Sequence, residues 1–279
     1  MEDREVPKLR LRSIFKRNTD MNRRDFVTAA GMAPLAAVPG LGAERQADNQ
    51  FFELRHYRPL VGPGRQRLES FLKDVAIPAW NRHGIPAVGV FSVLYGPNAP
   101  SLYVLLTHDS LESFATLTAR LATDAVYQEA GADFLSAPLG SPAFVRFEST
   151  LMRAFDAIPK LEIPAESAGN QPRIFELRIY ESHSETAARR KVEMFNAGEI
   201  PIFRATGLNP VFFGETIAGG LMPNLTYMVY YKDIAARDAA WAAFLAHPDW
   251  KTLSADPYYK ETVSTISDYI LRPTAYSQI

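Results

Sequence analysis

Phe52-Glu53-Leu54-Arg55-His56-Tyr57 recurs as Phe175-Glu176-Leu177-Arg178-Ile179-Tyr180, five of six residues identical at an offset of 123. The same offset pairs Ile77-Pro78 with Ile200-Pro201 and Gly84 with Gly207. At one residue more, Tyr103 aligns with Tyr227 and Asp109 with Asp233. An offset held across roughly 60 residues marks a tandem repeat. It divides the chain into an N-terminal segment (1–46), a first domain (50–160), a linker (161–172) within the stretch from Pro159 to Pro172, and a second domain (173–279).

Within each copy the hydrophobic period alternates between 2 and 3.6. Phe52 to Tyr57 alternates apolar and polar residues, as a strand does. Leu68, Phe71, Leu72 and Val75 follow at helical spacing with one buried stripe. Two β-rich runs, Val88 to Leu94 and Leu102 to Leu106, flank the turn at Gly96-Pro97-Asn98. Asp109 with Glu112 predicts a capping box opening a helix that carries Leu111, Phe114, Leu117 and Leu121. Asp233 opens its counterpart, with Ile234, Trp241, Phe244 and Leu245. Last β-like runs lie near Leu151-Met152-Arg153 and Ile270-Leu271-Arg272. The order βαββαβ is the ferredoxin-like unit. One such unit covers one sheet face with helices and leaves the other bare. The predicted fold is therefore α+β: two tandem ferredoxin-like domains packed sheet to sheet as an intramolecular barrel with helices outside.

Glu53-Leu54-Arg55-His56-Tyr57 and Glu176-Leu177-Arg178-Ile179-Tyr180 resemble the opening strand of the NIPSNAP family, within the dimeric α+β barrel superfamily. The second copy is the better match, through Asn224-Leu225-Thr226-Tyr227-Met228, Asp233, Arg237, Trp241, Phe244, His247-Pro248-Asp249-Trp250 and Leu271-Arg272-Pro273. Copy one departs from it, with Leu117 set against Trp241 and Val126 against Trp250. The resemblance covers residues 50–279 and implies the fold more than a chemistry. NIPSNAP proteins have no settled enzymatic activity, and the wider superfamily holds cofactor-free monooxygenases, isomerases and haem-handling enzymes.

Residues 22–28, Asn-Arg-Arg-Asp-Phe-Val-Thr, precede an apolar run from Ala29 to Leu41 and the small residues Gly42-Ala43. Arg23, Arg24 and Phe26 resemble a twin-arginine export signal, with Met21 placed as its natural start. The run, broken by Pro34 and Pro39, is too short to span a bilayer, so the expected mature protein is periplasmic or secreted without a transmembrane span. Residues 1–43 hold 8 basic and 5 acidic residues, leaving 22 and 26, a formal charge of −4 that argues against nucleic acid as a partner. The absence of cysteine excludes disulfides, thiolate metal sites and cysteine nucleophiles.

If the apolar strand face meets the helices, then Glu53, Arg55 and Tyr57, with Glu176, Arg178 and Tyr180, point into the barrel. They form either a polar site for a small, anionic molecule or a Glu–Arg network that fixes how the halves dock. His56 and His108 are weaker candidates, matched in copy two by Ile179 and Lys232. No His-x-His or His-x-x-x-His pair, phosphate loop or Gly-x-Ser-x-Gly elbow occurs, and neither metal nor cofactor is expected. Trp241, Phe244 and Trp250 read as core. Three functions stay open: a small-molecule binder, a cofactor-free monooxygenase or isomerase, and a protein-interaction module. A homo-oligomer fits any of them.

Overall fold

The computed structural model describes residues 49–60 and 62–279; the export segment with Met21, Arg23, Arg24 and Phe26 lies outside them. The first repeat runs β1 (Phe51–Pro59), α1 (Pro63–Phe71), a π-helical turn (Leu72–Ala76), α2 (Ile77–Arg82), β2 (Gly89–Tyr95), β3 (Leu102–His108), α3 (Leu111–Ala122), α4 (Ala125–Leu135) and β4 (Phe144–Ala154). The second repeats it: β5 (Ile174–Glu181), α5 (Glu185–Met194), a π-helical turn (Phe195–Glu199), α6 (Ile200–Thr206), β6 (Asn209–Ala218), β7 (Asn224–Tyr231), α7 (Ile234–Ala246), α8 (Pro248–Ala255) and β8 (Thr265–Pro273). The π turns fall just before Pro78 and Pro201, whose missing N–H cannot continue the i→i−4 ladder.

The strands close one antiparallel barrel in the order β1-β3-β2-β8-β5-β7-β6-β4. Each repeat supplies four neighbouring strands, and the halves join edge to edge at β2–β8 and β4–β6. The expected α+β barrel is thus the observed fold. Phe52, Leu54, Phe91 and Leu105 of the first repeat meet Phe175, Leu177, Phe212 and Met228 of the second in one lumenal core. Phe52 lies 5.1 Å from Phe212 and Phe91 4.8 Å from Phe175, ring centre to ring centre. Two more cores sit outside the barrel, between each half-sheet and its own helices.

Register corrects the alignment read from sequence. Glu53 faces Leu106 across β1–β3 and Glu176 faces Val229 across β5–β7, so the offset stays 123 through the third strand of each copy. Tyr103 is therefore equivalent to Thr226, and Val104 to Tyr227; Tyr103 and Tyr227 lie on opposite faces of the wall. His108 corresponds to Tyr231, not Lys232. The cap of α3 is Ser110, whose Oγ accepts from the Ser113 N–H, in place of Asp109. Its counterpart Asp233 caps α7 as expected. At this offset Trp241 matches Thr118, Trp250 matches Tyr127, and Arg237 matches Phe114.

Candidate functional site

The polar face of the repeated strand points the other way from the sequence expectation. Glu53, Arg55 and Tyr57, and Glu176, Arg178 and Tyr180, lie under the helices; Phe52, Leu54, Phe175 and Leu177 fill the lumen. The rule that puts the apolar face under helices assumes one dry face and one wet one. Here both faces are buried. In the second repeat the polar face meets α7, which supplies Arg237 and Trp241, whereas in the first Glu53 is satisfied within the sheet by Arg55 and Ser149.

In the second repeat Glu176 is fully buried and forms the hub. Its carboxylate accepts from Arg237 Nη2 (2.7 Å) and Nε (3.0 Å), Trp241 Nε1 (2.8 Å), Arg178 Nη1 (2.8 Å) and the Tyr231 hydroxyl (2.9 Å). Burial alone would raise this carboxyl, yet the Arg237 and Trp241 hydrogen bonds and the Arg178 charge outweigh it and hold it low. Asp268, beside Arg178 on β8, takes Arg178 Nη1 at 3.0 Å and Arg237 Nη2 at 3.2 Å. Burial, with the neighbouring Glu176 charge, pushes the Asp268 carboxyl up to about 6. Two carboxylates sharing two guanidiniums have split: one stays charged, the other titrates near neutrality. With its side chain 35% exposed, Asp268 forms the rim of the cluster together with Arg237.

Deeper in the same layer Arg178 lies 4.7 Å from the Trp241 ring centre and 5.5 Å from that of Tyr180. The Tyr180 and Tyr227 hydroxyls are 2.9 Å apart. Lys191 of α5 reaches in from the helices and pairs with Glu199 at 2.7 Å, their side chains only 6% and 3% exposed. Burial pushes the Glu199 carboxyl up, with Lys191 pulling against it, and burial raises the Tyr227 phenol well above its ordinary range.

The first repeat has a leaner version. Arg55 chelates Glu53 through Nε (2.6 Å) and Nη2 (3.0 Å), and the Ser149 hydroxyl donates at 2.8 Å. His108 sits on the helix side with Nε2 3.4 Å from the Glu53 carboxylate, and its ring meets Phe114 edge-on at 5.6 Å. Burial favours the neutral acid, but His108, Arg55 and Ser149 outweigh it and hold Glu53 at about 2. Tyr57 stacks on Phe147 at 5.0 Å. His56 belongs to neither cluster. It faces the lumen, stacked on Tyr103 at 4.4 Å, with Nε2 2.9 Å from Ser101 Oγ and Nδ1 3.5 Å from Glu148. Burial holds its imidazole below the ordinary range.

Sequence reading passed over Lys191, Glu199, Tyr231 and Asp268, and took Trp241 only as packing, although it both packs on the core and donates to Glu176. One signal was available. The apolar stripe Leu68, Phe71, Leu72 becomes Lys191, Met194, Phe195 at the offset of 123, and a lysine on a buried stripe needs a partner. Among the described residues no group of three or more His, Asp or Glu is placed to hold a metal ion, and no helix is long and apolar enough to cross a membrane.

The sequence profile of the NIPSNAP family matches residues 52–138 and 175–278. Among solved structures, an uncharacterised NIPSNAP-like domain protein from Burkholderia xenovorans is 24% identical, covering 38% of this chain and 88% of its own, with a TM-score of 0.35. A NIPSNAP family protein from Agrobacterium tumefaciens is 19% identical over 38% of this chain and 96% of its own, with a TM-score of 0.34. An anthrone oxidase-like protein is 10% identical over 81% of this chain and 92% of its own, with a TM-score of 0.47. No curated protein matches.

Proposed function

The chain belongs to the NIPSNAP family, and from that footing we propose that its second repeat binds a small organic anion between sheet and helices, around Arg178. The observation that carries this is a substitution pattern between equivalent positions. Leu68, Ala76 and Val104, all apolar and buried in the first repeat, become Lys191, Glu199 and Tyr227 in the second. The first repeat builds the same layer without them, so the fold does not require them. Replacing a buried ion pair by well-packed apolar side chains is often neutral or stabilising, so its presence in one repeat supports a role beyond stability, which we assign to ligand binding. Arg237 and Asp268 would form the entrance, Arg178 the anion contact, and Tyr180 with Tyr227 the hydroxyl contacts.

A second reading, a proton-transferring enzyme of the isomerase or cofactor-free monooxygenase class, draws support from the same place. Glu199, held toward its neutral form, stands near a pair of tyrosine hydroxyls that could carry a proton. It needs no cofactor.

Both readings are tested by giving the second repeat the residues of the first. The double variant Lys191→Leu/Glu199→Ala should stay folded, gaining stability on the order of 1 kcal/mol or more, whereas Lys191→Leu alone should lose about 3 kcal/mol by stranding Glu199. Thermal shifts of the native protein with a panel of mono- and dicarboxylates, and mass spectrometry of molecules that co-purify, should show ligand on the native chain and none on the double variant. A double variant that is folded and still loaded would end both readings.

We also read residues 21–46 as a twin-arginine signal that sends the protein to the periplasm. Supporting this are Arg23-Arg24, Phe26 and the moderately apolar run behind them. Undiminished export of a folded reporter after replacing both arginines by lysine would refute it.

A further inference from the structure

Strand β4 pairs with β1 from Arg153 opposite Phe51 to Phe144 opposite Pro59, with a register shift that leaves Val145 without a partner. On its other side it meets β6 only over Leu151–Ala154. Among the described residues no strand lies against the remaining outer edge, from Phe144 to Thr150. Val145, Arg146, Phe147, Glu148 and Ser149 are five consecutive exposed residues, with Val145 69% and Phe147 42% exposed. The matching free stretch of β8 is shorter. Its Ser267 and Asp268 are half-buried and its Tyr269 buried, with Gly96 of the β2–β3 turn packed against Asp268 and Tyr269.

A long open edge with exposed apolar side chains invites another strand, and proteins that stay single blunt such edges with proline, lysine, bulges or a covering loop. A register shift at Val145 and the β6–β7 turn at Gly219, packed against Thr150, mark the two ends of this stretch; among the described residues none of these devices protects Arg146–Ser149 between them. The sequence of the edge, Phe-Val-Arg-Phe-Glu-Ser-Thr, is instead complementary to itself when reversed about Phe147. Arg146 and Glu148 share one face, 4.0 Å apart. In an antiparallel pair with its twofold at Phe147, each Arg146 faces the Glu148 of the second copy and the two form a ring of four alternating charges. Phe147 meets Phe147.

We propose that the protein dimerises through this edge, two copies of β4 joining antiparallel about Phe147 so that one sheet runs from barrel to barrel. The proposal is independent of the ligand site, which lies in the other repeat.

The register makes an uncommon test available. Arg146→Glu gives a copy that repels itself at both cross-strand pairs, and so does Glu148→Arg; mixed one to one, the two variants are complementary at every pair. Sedimentation should show the native chain dimerising below about 100 µM, each single variant weakened about tenfold or more, and the mixture restored to dimer. Because the chain has no cysteine, Phe147→Cys adds a single thiol. Under mild oxidation that variant should run as a disulfide-linked dimer, a readout that does not depend on the charge variants folding well. A native chain that is monomeric throughout that range overturns the proposal. So does a dimer that ignores both charge reversals, a mixture that stays monomeric, or a Phe147→Cys chain that does not cross-link.

Discussion

The two repeats share a strand motif, a topology and an offset, and they differ in what lies beneath the helices. In the first, Glu53 is satisfied by Arg55 and Ser149, with His108 close by, and the layer above is apolar: Leu68, Ala76, Val104. In the second, Glu176 gathers Arg178, Arg237, Trp241 and Tyr231, Asp268 joins the arginines, and the layer above holds Lys191, Glu199 and Tyr227. One copy uses its glutamate and arginine as a compact internal pair. The other has enlarged the same pair into a polar interior that reaches the surface at Asp268. Duplication allows this, because a single simple copy is enough to hold half the barrel while its twin carries groups the fold does not need.

The comparison can be broken most forcefully by cutting it in two. Residues 170–279 alone would expose the lumenal face of β5–β8, including Phe175, Leu177, Phe212 and Met228. This half should lose cooperative folding or pair with itself to rebuild a barrel, as read by calorimetry and sedimentation. An isolated half that is monomeric, cooperatively folded and silent to hydrophobic dyes would mean that the repeats do not depend on a shared core.

Acid titration sharpens the contrast, with opposite signs expected in the two copies. Glu53 is depressed from 4.5 to about 2, so it contributes stability that is present above pH 4.5 and lost as pH falls toward 2. That contribution is roughly 3 kcal/mol, and Glu53→Gln should remove the corresponding acid limb from the stability–pH curve. Asp268 runs the other way: its folded value is raised from 3.8 to about 6, so it costs stability increasingly as pH rises across that interval. Asp268→Asn should therefore stabilise the protein above pH 6, on the order of 1 kcal/mol after allowing for solvent screening, and do nothing near pH 3. Ser149 stands at the equivalent place in the first repeat and has no such titration. Chemical denaturation at several pH values measures both, and a stabilising effect of Asp268→Asn at pH 3 would contradict the assigned cause.

Much of the fold was legible. The repeat, the βαββαβ order and the need to hide one face of each sheet follow from local pattern and from the free energy of apolar burial. The site was legible only as a set of residues. Glu53, Arg55, Tyr57 and their second-copy equivalents were identified from the motif, but the lumen they were assigned to is filled by Phe52, Phe91, Phe175 and Phe212. Strict alternation separates a strand's two faces without saying which is which when both are buried. His108 was misaligned by one residue, and that slip hid its equivalence to Tyr231, the group that completes the Glu176 hub.

What the sequence by itself determined is therefore what depends on neighbours along the chain: strands and helices, the cap at Asp233, the offset of 123 and the identity of the polar strand face. What only the tertiary structure decided is which side of the wall that face occupies, which carboxylate keeps its charge, and which strand edge is left open. Each depends on groups far apart in the chain. Arg237 is 61 residues from Glu176, and β6 follows β4 by half a repeat yet stops beside Leu151. Burial sets the cost of a charge, and only the packed fold says whether a counter-charge or a further strand is there to meet it.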